Sequence, residues 1–126
     1  MFSDCYSLPS NMWGEPMLPQ TQILPLVDMM ITHGGNNSIC EAFYYGKPMI
    51  VMPLCNDQYD NAQRVAEKGF GIRMDPNTCS KEQLINAIDC ILNNEELEKR
   101  MKDVSLRIQN EAKSDKLVNL IEALVT

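Results

Sequence analysis

The sequence predicts an α/β fold, with a parallel β-sheet flanked by helices in a single domain. Three observations predict it. Short apolar runs at 28–32, 48–52 and 71–74 alternate with longer stretches of helical periodicity, the order expected of β-α-β units with right-handed crossovers. The first two runs are consistent with buried parallel strands, and the third is shorter and carries Arg73. The length of 126 residues, with 44% hydrophobic and 22% charged residues, suits one soluble domain with a modest core. No internal repeat or low-complexity segment interrupts it.

Each element has a local reason. Leu8-Pro9-Ser10-Asn11 reads as a turn, and Pro19 follows a short extended piece. Residues 21–26 can hold one helical turn. The first strand, 28–32, ends at His33 and turns through Gly34 and Gly35 into a helix expected over 36–45. Gly46 stops that helix and Pro48 opens the second strand, 48–52, which Pro53 closes. A second helix is expected over 56–68, with Asp57 in its first turn and Gly69 at its end. A short third strand follows at 71–74.

Three further helices complete the chain. Ser80-Lys-Glu-Gln83 is a capping-box pattern, opening a helix with Leu84, Ile88, Ile91 and Leu92 on one side. Asn94 can cap the next, where Leu97, Met101, Val104 and Ile108 form a stripe. The acidic residues Glu95, Glu96 and Glu98 mark its start and a solvated face. A last helix is expected to bury Leu117, Leu120, Ile121 and Leu124.

Composition excludes several classes of function. The net charge of −6 argues against general nucleic-acid or anionic-membrane binding. No apolar run approaches the roughly 20 residues of a membrane span. Residues 1–6 lack the basic and apolar regions of a signal peptide. The five cysteines (Cys5, Cys40, Cys55, Cys79 and Cys90) are odd in number and form no CxxC pair. They read as free thiols in a reducing, cytoplasmic setting, with no metal site and no cofactor expected.

The chemistry gathers at the turn after the first strand, which holds the only histidine, His33. A helix that starts just after a Gly-rich turn offers free N–H groups and a partial positive charge to phosphate. In an open parallel sheet, ligands bind at the C-terminal ends of the strands. His33, the turn at Asn36 to Ser38, Glu41, Asp57 and Gln58 should therefore line one crevice. His33 and the N–H groups suit diphosphate oxygens, with Asn37 and Ser38 adding side-chain donors. Glu41 can accept from the two vicinal hydroxyls of a ribose, and Asp57 and Gln58 suit sugar hydroxyls. A nucleotide-sugar satisfies these groups together. Taken singly, each has a plainer reading: a structural histidine, a solvated Glu41, a first-turn charge at Asp57. An esterase oxyanion loop at His33-Gly34-Gly35 would need a G-x-S-x-G elbow, which is absent.

Four segments then carry a resemblance. They are Pro19-Gln20, Thr32-His33-x-Gly35-x-x-Ser38-x-x-Glu41, Gly46-x-Pro48, and Pro53-x-x-x-Asp57-Gln58. Together they resemble the donor-binding signature of the UDP-glycosyltransferases, family 1. The thirteen-residue step from Gln20 to His33 is similar to that of the bacterial macrolide-type and arthropod members. The resemblance implies the C-terminal half of a GT-B fold, a Rossmann-like domain lacking its first strands. It implies that Gln20 contacts uracil and Glu41 the ribose. His33, Gly35, Asn36, Asn37 and Ser38 would hold the diphosphate, and Asp57 and Gln58 the donor sugar, with Gln58 suggesting UDP-glucose. Three positions before Gln20, where the family carries an aromatic that stacks on uracil, this chain has Met17, with Trp13 nearby but out of register.

The function so implied is donor binding within an inverting UDP-glycosyltransferase that moves a hexosyl group to a small lipophilic acceptor. No acceptor domain and no catalytic base are read in this chain, so it is expected to be inactive alone. The alternative is a non-catalytic nucleotide-sugar-binding subunit that works with a partner chain. An unpaired apolar sheet edge would favour a homodimer.

Overall fold

The computed structural model describes residues 7–112 and 116–125. Three parallel strands, β1 (Met30–Thr32), β2 (Met49–Val51) and β3 (Gly71–Arg73), lie side by side in chain order. Met30 pairs with Met49 and Met49 with Gly71, which sets the register across the sheet. Before them come α1 (Gln20–Ile23) and a 3₁₀ turn at Leu24–Leu26. Between and after them run α2 (Asn36–Tyr44), α3 (Gln58–Glu67), α4 (Lys81–Leu92), α5 (Glu95–Ala112) and α6 (Lys116–Val125).

Side chains of a strand alternate between faces, so the register assigns each residue a side. Ile31, Ile50 and Ile72 share one face, and α4 covers it. Ile88 and Leu92 line a groove with Ile31, and Ala87 lines another with Ile72. The opposite face carries Met49, Val51 and Gly71, and Val65 of α3 packs on it, its Cγ1 3.0 Å from where a Cβ on Gly71 would sit. β2 has neighbours on both edges and both faces, and Met49, Ile50 and Val51 are all fully buried. Each such side chain contributes about 1.5–3 kcal/mol of hydrophobic stabilisation.

Capping follows the expected chemistry. Ser80 Oγ accepts from Gln83 N–H at 3.1 Å, while Gln83 Oε1 accepts from Ser80 N–H at 2.8 Å, which completes the capping box of α4. Asn94 Oδ1 accepts from Leu97 N–H at 2.9 Å at the start of α5. α5 packs against α2, and its Leu97 and fully buried Met101 join the core. It also satisfies an orphan carbonyl at the end of α2. Ser105 Oγ and Gln109 Nε2 both donate to Tyr44 O, at 2.5 and 2.9 Å. Gly46, at φ +66°, makes the left-handed exit from α2, and a Cβ there would press on Met101 O at 3.1 Å.

The structure corrects several expectations. α3 begins at Gln58, so Asp57 sits at the N-cap, exposed and without a side-chain capping bond, and not in the first turn. Leu92 is 52% exposed, and Ala87 takes its place in the core. The apolar stripe of α6 is not buried. Leu120, Ile121 and Leu124 are 55%, 53% and 86% exposed, and the side chain of Leu117 lies outside the described residues. Periodicity reports that a helix carries an apolar stripe, while burial needs a facing surface.

The outer edge of β1 has no strand partner among the described residues, and Ile31 is 48% exposed there. Cys40, Cys55, Cys79 and Cys90 are free thiols, and Cys5 lies outside the described residues. Among the described residues no helix is long and apolar enough to cross a membrane.

Candidate functional site

The turn after β1 is built on Gly34. Its φ is +93°, and a Cβ there would lie 2.6 Å from Val51 Cγ1, so both backbone and space demand glycine. Gly34 N–H donates to the buried Thr32 Oγ1 at 3.2 Å, which ties the turn to the strand. Gly35 is the N-cap of α2, and no side chain caps this helix. Its first-turn N–H groups, at Asn36, Asn37 and Ser38, thus face outward with the positive end of the helix dipole. His33 is exposed and its ring lies against Gly35, the N-cap of α2: its Nε2 would be 2.8 Å from a Cβ there. A small anion placed here meets backbone donors and an imidazole together.

One turn along α2, Glu41 is half-buried, and Gln20 from α1 reaches it. Gln20 Nε2 donates to Glu41 Oε2 at 2.7 Å and to Ser38 Oγ at 3.3 Å. A carboxylate only accepts, so the amide nitrogen must face it and Gln20 Oε1 is left free. Met17 and Trp13, the residues considered for base stacking, are 87% and 70% exposed.

Asp57 and Gln58 stand at the start of α3, beyond the C-terminal end of β2. A Cβ on Gly34 would lie 3.5 Å from the carbonyl oxygen of Gln58, so this corner adjoins the turn. Gln58 Oε1 accepts from the N–H groups of Leu54 and Cys55, at 2.9 and 3.1 Å. Its amide nitrogen is the part left to donate outward. Gln20, His33, Gly35, Asn36, Asn37, Ser38, Glu41, Asp57 and Gln58 therefore share one rim of the sheet. No three His, Cys, Asp or Glu side chains gather as metal ligands among the described residues.

Two residues of this rim have no role in the sequence prediction. Thr32 opens the signature segment but has no role of its own there, though a β-branched hydroxyl two residues before a Gly-Gly turn can hold it. Asn61, one turn into α3, donates from Nδ2 to Gly34 O at 3.0 Å and to Asn36 Oδ1 at 2.9 Å. Its only sequence signal is a polar residue on the side of α3 that faces the sheet, next to the buried Ala62.

The family model described as UDP-glucoronosyl and UDP-glucosyl transferase matches residues 7–116. The chain belongs to this family. The human UDP-glucuronosyltransferase 2B10 is 40% identical over 96 residues, which are 75% of this chain but 18% of that protein. The chain thus spans less than a fifth of the relatives it matches. Among solved structures, the glycotransferase of kitacinnamycin superposes with a TM-score of 0.83 at 29% identity, covering 92% of this chain and 30% of the other. The spinosyn rhamnosyltransferase SpnG complexed with thymidine diphosphate gives a TM-score of 0.76 at 25% identity, covering 86% and 30%. The three-stranded sheet with its helices is accordingly the Rossmann-like architecture of GT-B glycosyltransferases, as the UDP-glycosyltransferase signature implied.

Proposed function

We propose that this chain binds the UDP-sugar donor of an inverting UDP-glycosyltransferase that passes a hexosyl group to a small lipophilic acceptor. The observation that carries the reading is the convergence, on one rim, of an uncapped helix start under His33 with the Gln20–Glu41 pair. A nucleoside diphosphate matches it group by group. The N–H groups of Asn36 to Ser38, the side chains of Asn37 and Ser38, and His33 hold the diphosphate. Glu41 accepts from the ribose hydroxyls. Gln20 holds Glu41 in place and keeps Oε1 for the uridine. Asp57 accepts from the donor sugar, and Gln58 donates to it through Nε2.

In the transfer step, a base supplied by an acceptor lobe removes the proton of the acceptor hydroxyl. The hydroxyl oxygen attacks the anomeric carbon as its bond to the β-phosphate oxygen breaks. Negative charge then develops on the departing diphosphate, where His33 and the α2 dipole stabilise it. Such preorganised electrostatic stabilisation is often the largest catalytic term. The family match and the diphosphate complex of a structural neighbour support this reading.

Calorimetric titration of the folded chain with UDP tests it, and no heat of binding at millimolar UDP would overturn it. Competition of UDP-glucose against UDP-glucuronic acid then decides the sugar, since Gln58 suggests glucose while the matched relatives are named for glucuronosyl transfer. The open edge of β1, with Ile31 half-exposed, also supports self-association through that edge. Sedimentation of the wild type and of Ile31→Lys checks it: the variant should shift toward the monomer mass, and equal masses would refute the interface.

A further inference from the structure

Asn61 spans two parts of the rim that sequence separates. It rides on α3 and reaches back to the turn 27 residues earlier. Both of its amide hydrogens are used there, one on Gly34 O at 3.0 Å and one on Asn36 Oδ1 at 2.9 Å. Each bond has a distinct consequence. The first holds the peptide of a residue at φ +93°, whose orientation fixes where α2 begins. The second draws the Asn36 side chain toward α3. Asparagine at a helix start readily bonds to nearby backbone N–H groups, the groups a diphosphate would need. With Asn36 Oδ1 engaged by Asn61, those donors stay open. The same link ties the turn to α3, the helix that begins at Gln58 beside Asp57.

We propose that Asn61 is a positioning residue of the donor site: it keeps the anion-binding start of α2 open and fixes its distance from the sugar-binding start of α3. This rests on the donor-site reading above. Asn61 itself contacts neither phosphate nor sugar, and it acts through Gly34 and Asn36.

The test compares the wild-type chain with Asn61→Ala, Asn36→Ala and the double variant, each checked for folding by circular dichroism. Two readouts are taken: amide hydrogen exchange in the free chain, and calorimetric binding of UDP and UDP-glucose. Asn61→Ala should speed exchange at residues 34–38 about tenfold or more and leave β2 unchanged. It should weaken UDP about tenfold, the worth of a good hydrogen bond. It should also reduce the ratio of UDP-glucose to UDP affinity, which a general loss of stability would not move. The double variant should bind no worse than Asn61→Ala alone. If Asn61→Ala keeps wild-type exchange in the turn and wild-type UDP affinity, the positioning role is overturned while the donor site stands. If the wild type fails to bind UDP, the donor-site reading falls and the role of Asn61 falls with it, even where the exchange result shows that the turn is held.

Discussion

Gln20 Nε2 lies 2.7 Å from Glu41 Oε2, joining a helical turn that precedes β1 to the middle of α2. The bond fixes a carboxylate at the rim before any ligand arrives. A preorganised acceptor loses less side-chain freedom on binding, which is one of the costs of association.

Glu41→Ala should therefore weaken UDP by about 1.5–3 kcal/mol, the range for hydrogen bonds to a charged group. It should not change the affinity for 2′,3′-dideoxy-UDP, which lacks the hydroxyls. Gln20→Ala should give a smaller loss in the same direction. Equal losses for both nucleotides would remove Glu41 from the ribose.

His33→Ala should cost about 1–3 kcal/mol in UDP binding if the imidazole bonds the charged diphosphate. Uridine, which has no phosphate, should bind the variant and the wild type alike. An unchanged UDP affinity would refute the assignment.

Gly34→Ala should destabilise the fold. The new Cβ meets Val51 Cγ1 at 2.6 Å, and the backbone sits in the left-handed region. Overpacking and an unfavourable φ together cost about 2–3 kcal/mol. Denaturant unfolding checks it through a lower midpoint at unchanged slope, and a wild-type midpoint would contradict the geometry.

Met101→Ala should cost about 2–5 kcal/mol, because Met101 is fully buried where α5 meets α2. Val104→Ala on the same helix should cost less, as its side chain is only half-buried. Thermal and chemical unfolding of the pair compare the two positions directly.

The strands and helices were legible because each has a local cause. The capping box at Ser80 and Gln83 spans four residues, and the Gly46 exit needs only its own backbone. The Gly34–Gly35 turn was legible for the same reason, since a strand, two glycines and a helix start are contiguous. Asn61 was not, because its partners lie 25 and 27 residues away and depend on how α3 packs on the sheet. The stripe of α6 was visible, but its exposure was not: Leu120, Ile121 and Leu124 have the spacing of a buried face wherever that face points.

By itself, then, the sequence determined the order of elements, their caps and turns, the free first turn of α2, and the family signature from Gln20 to Gln58. Hydrogen bonds within a few residues and the period of apolar side chains set the elements, caps and turns, while residue types at fixed spacings carry the signature. The tertiary structure decided which distant groups meet. It paired Gln20 with Glu41 and hung the turn from Asn61. Those contacts follow from the sheet register and from the packing of α2 and α3, which bring residues more than 20 apart in the chain within hydrogen-bonding distance.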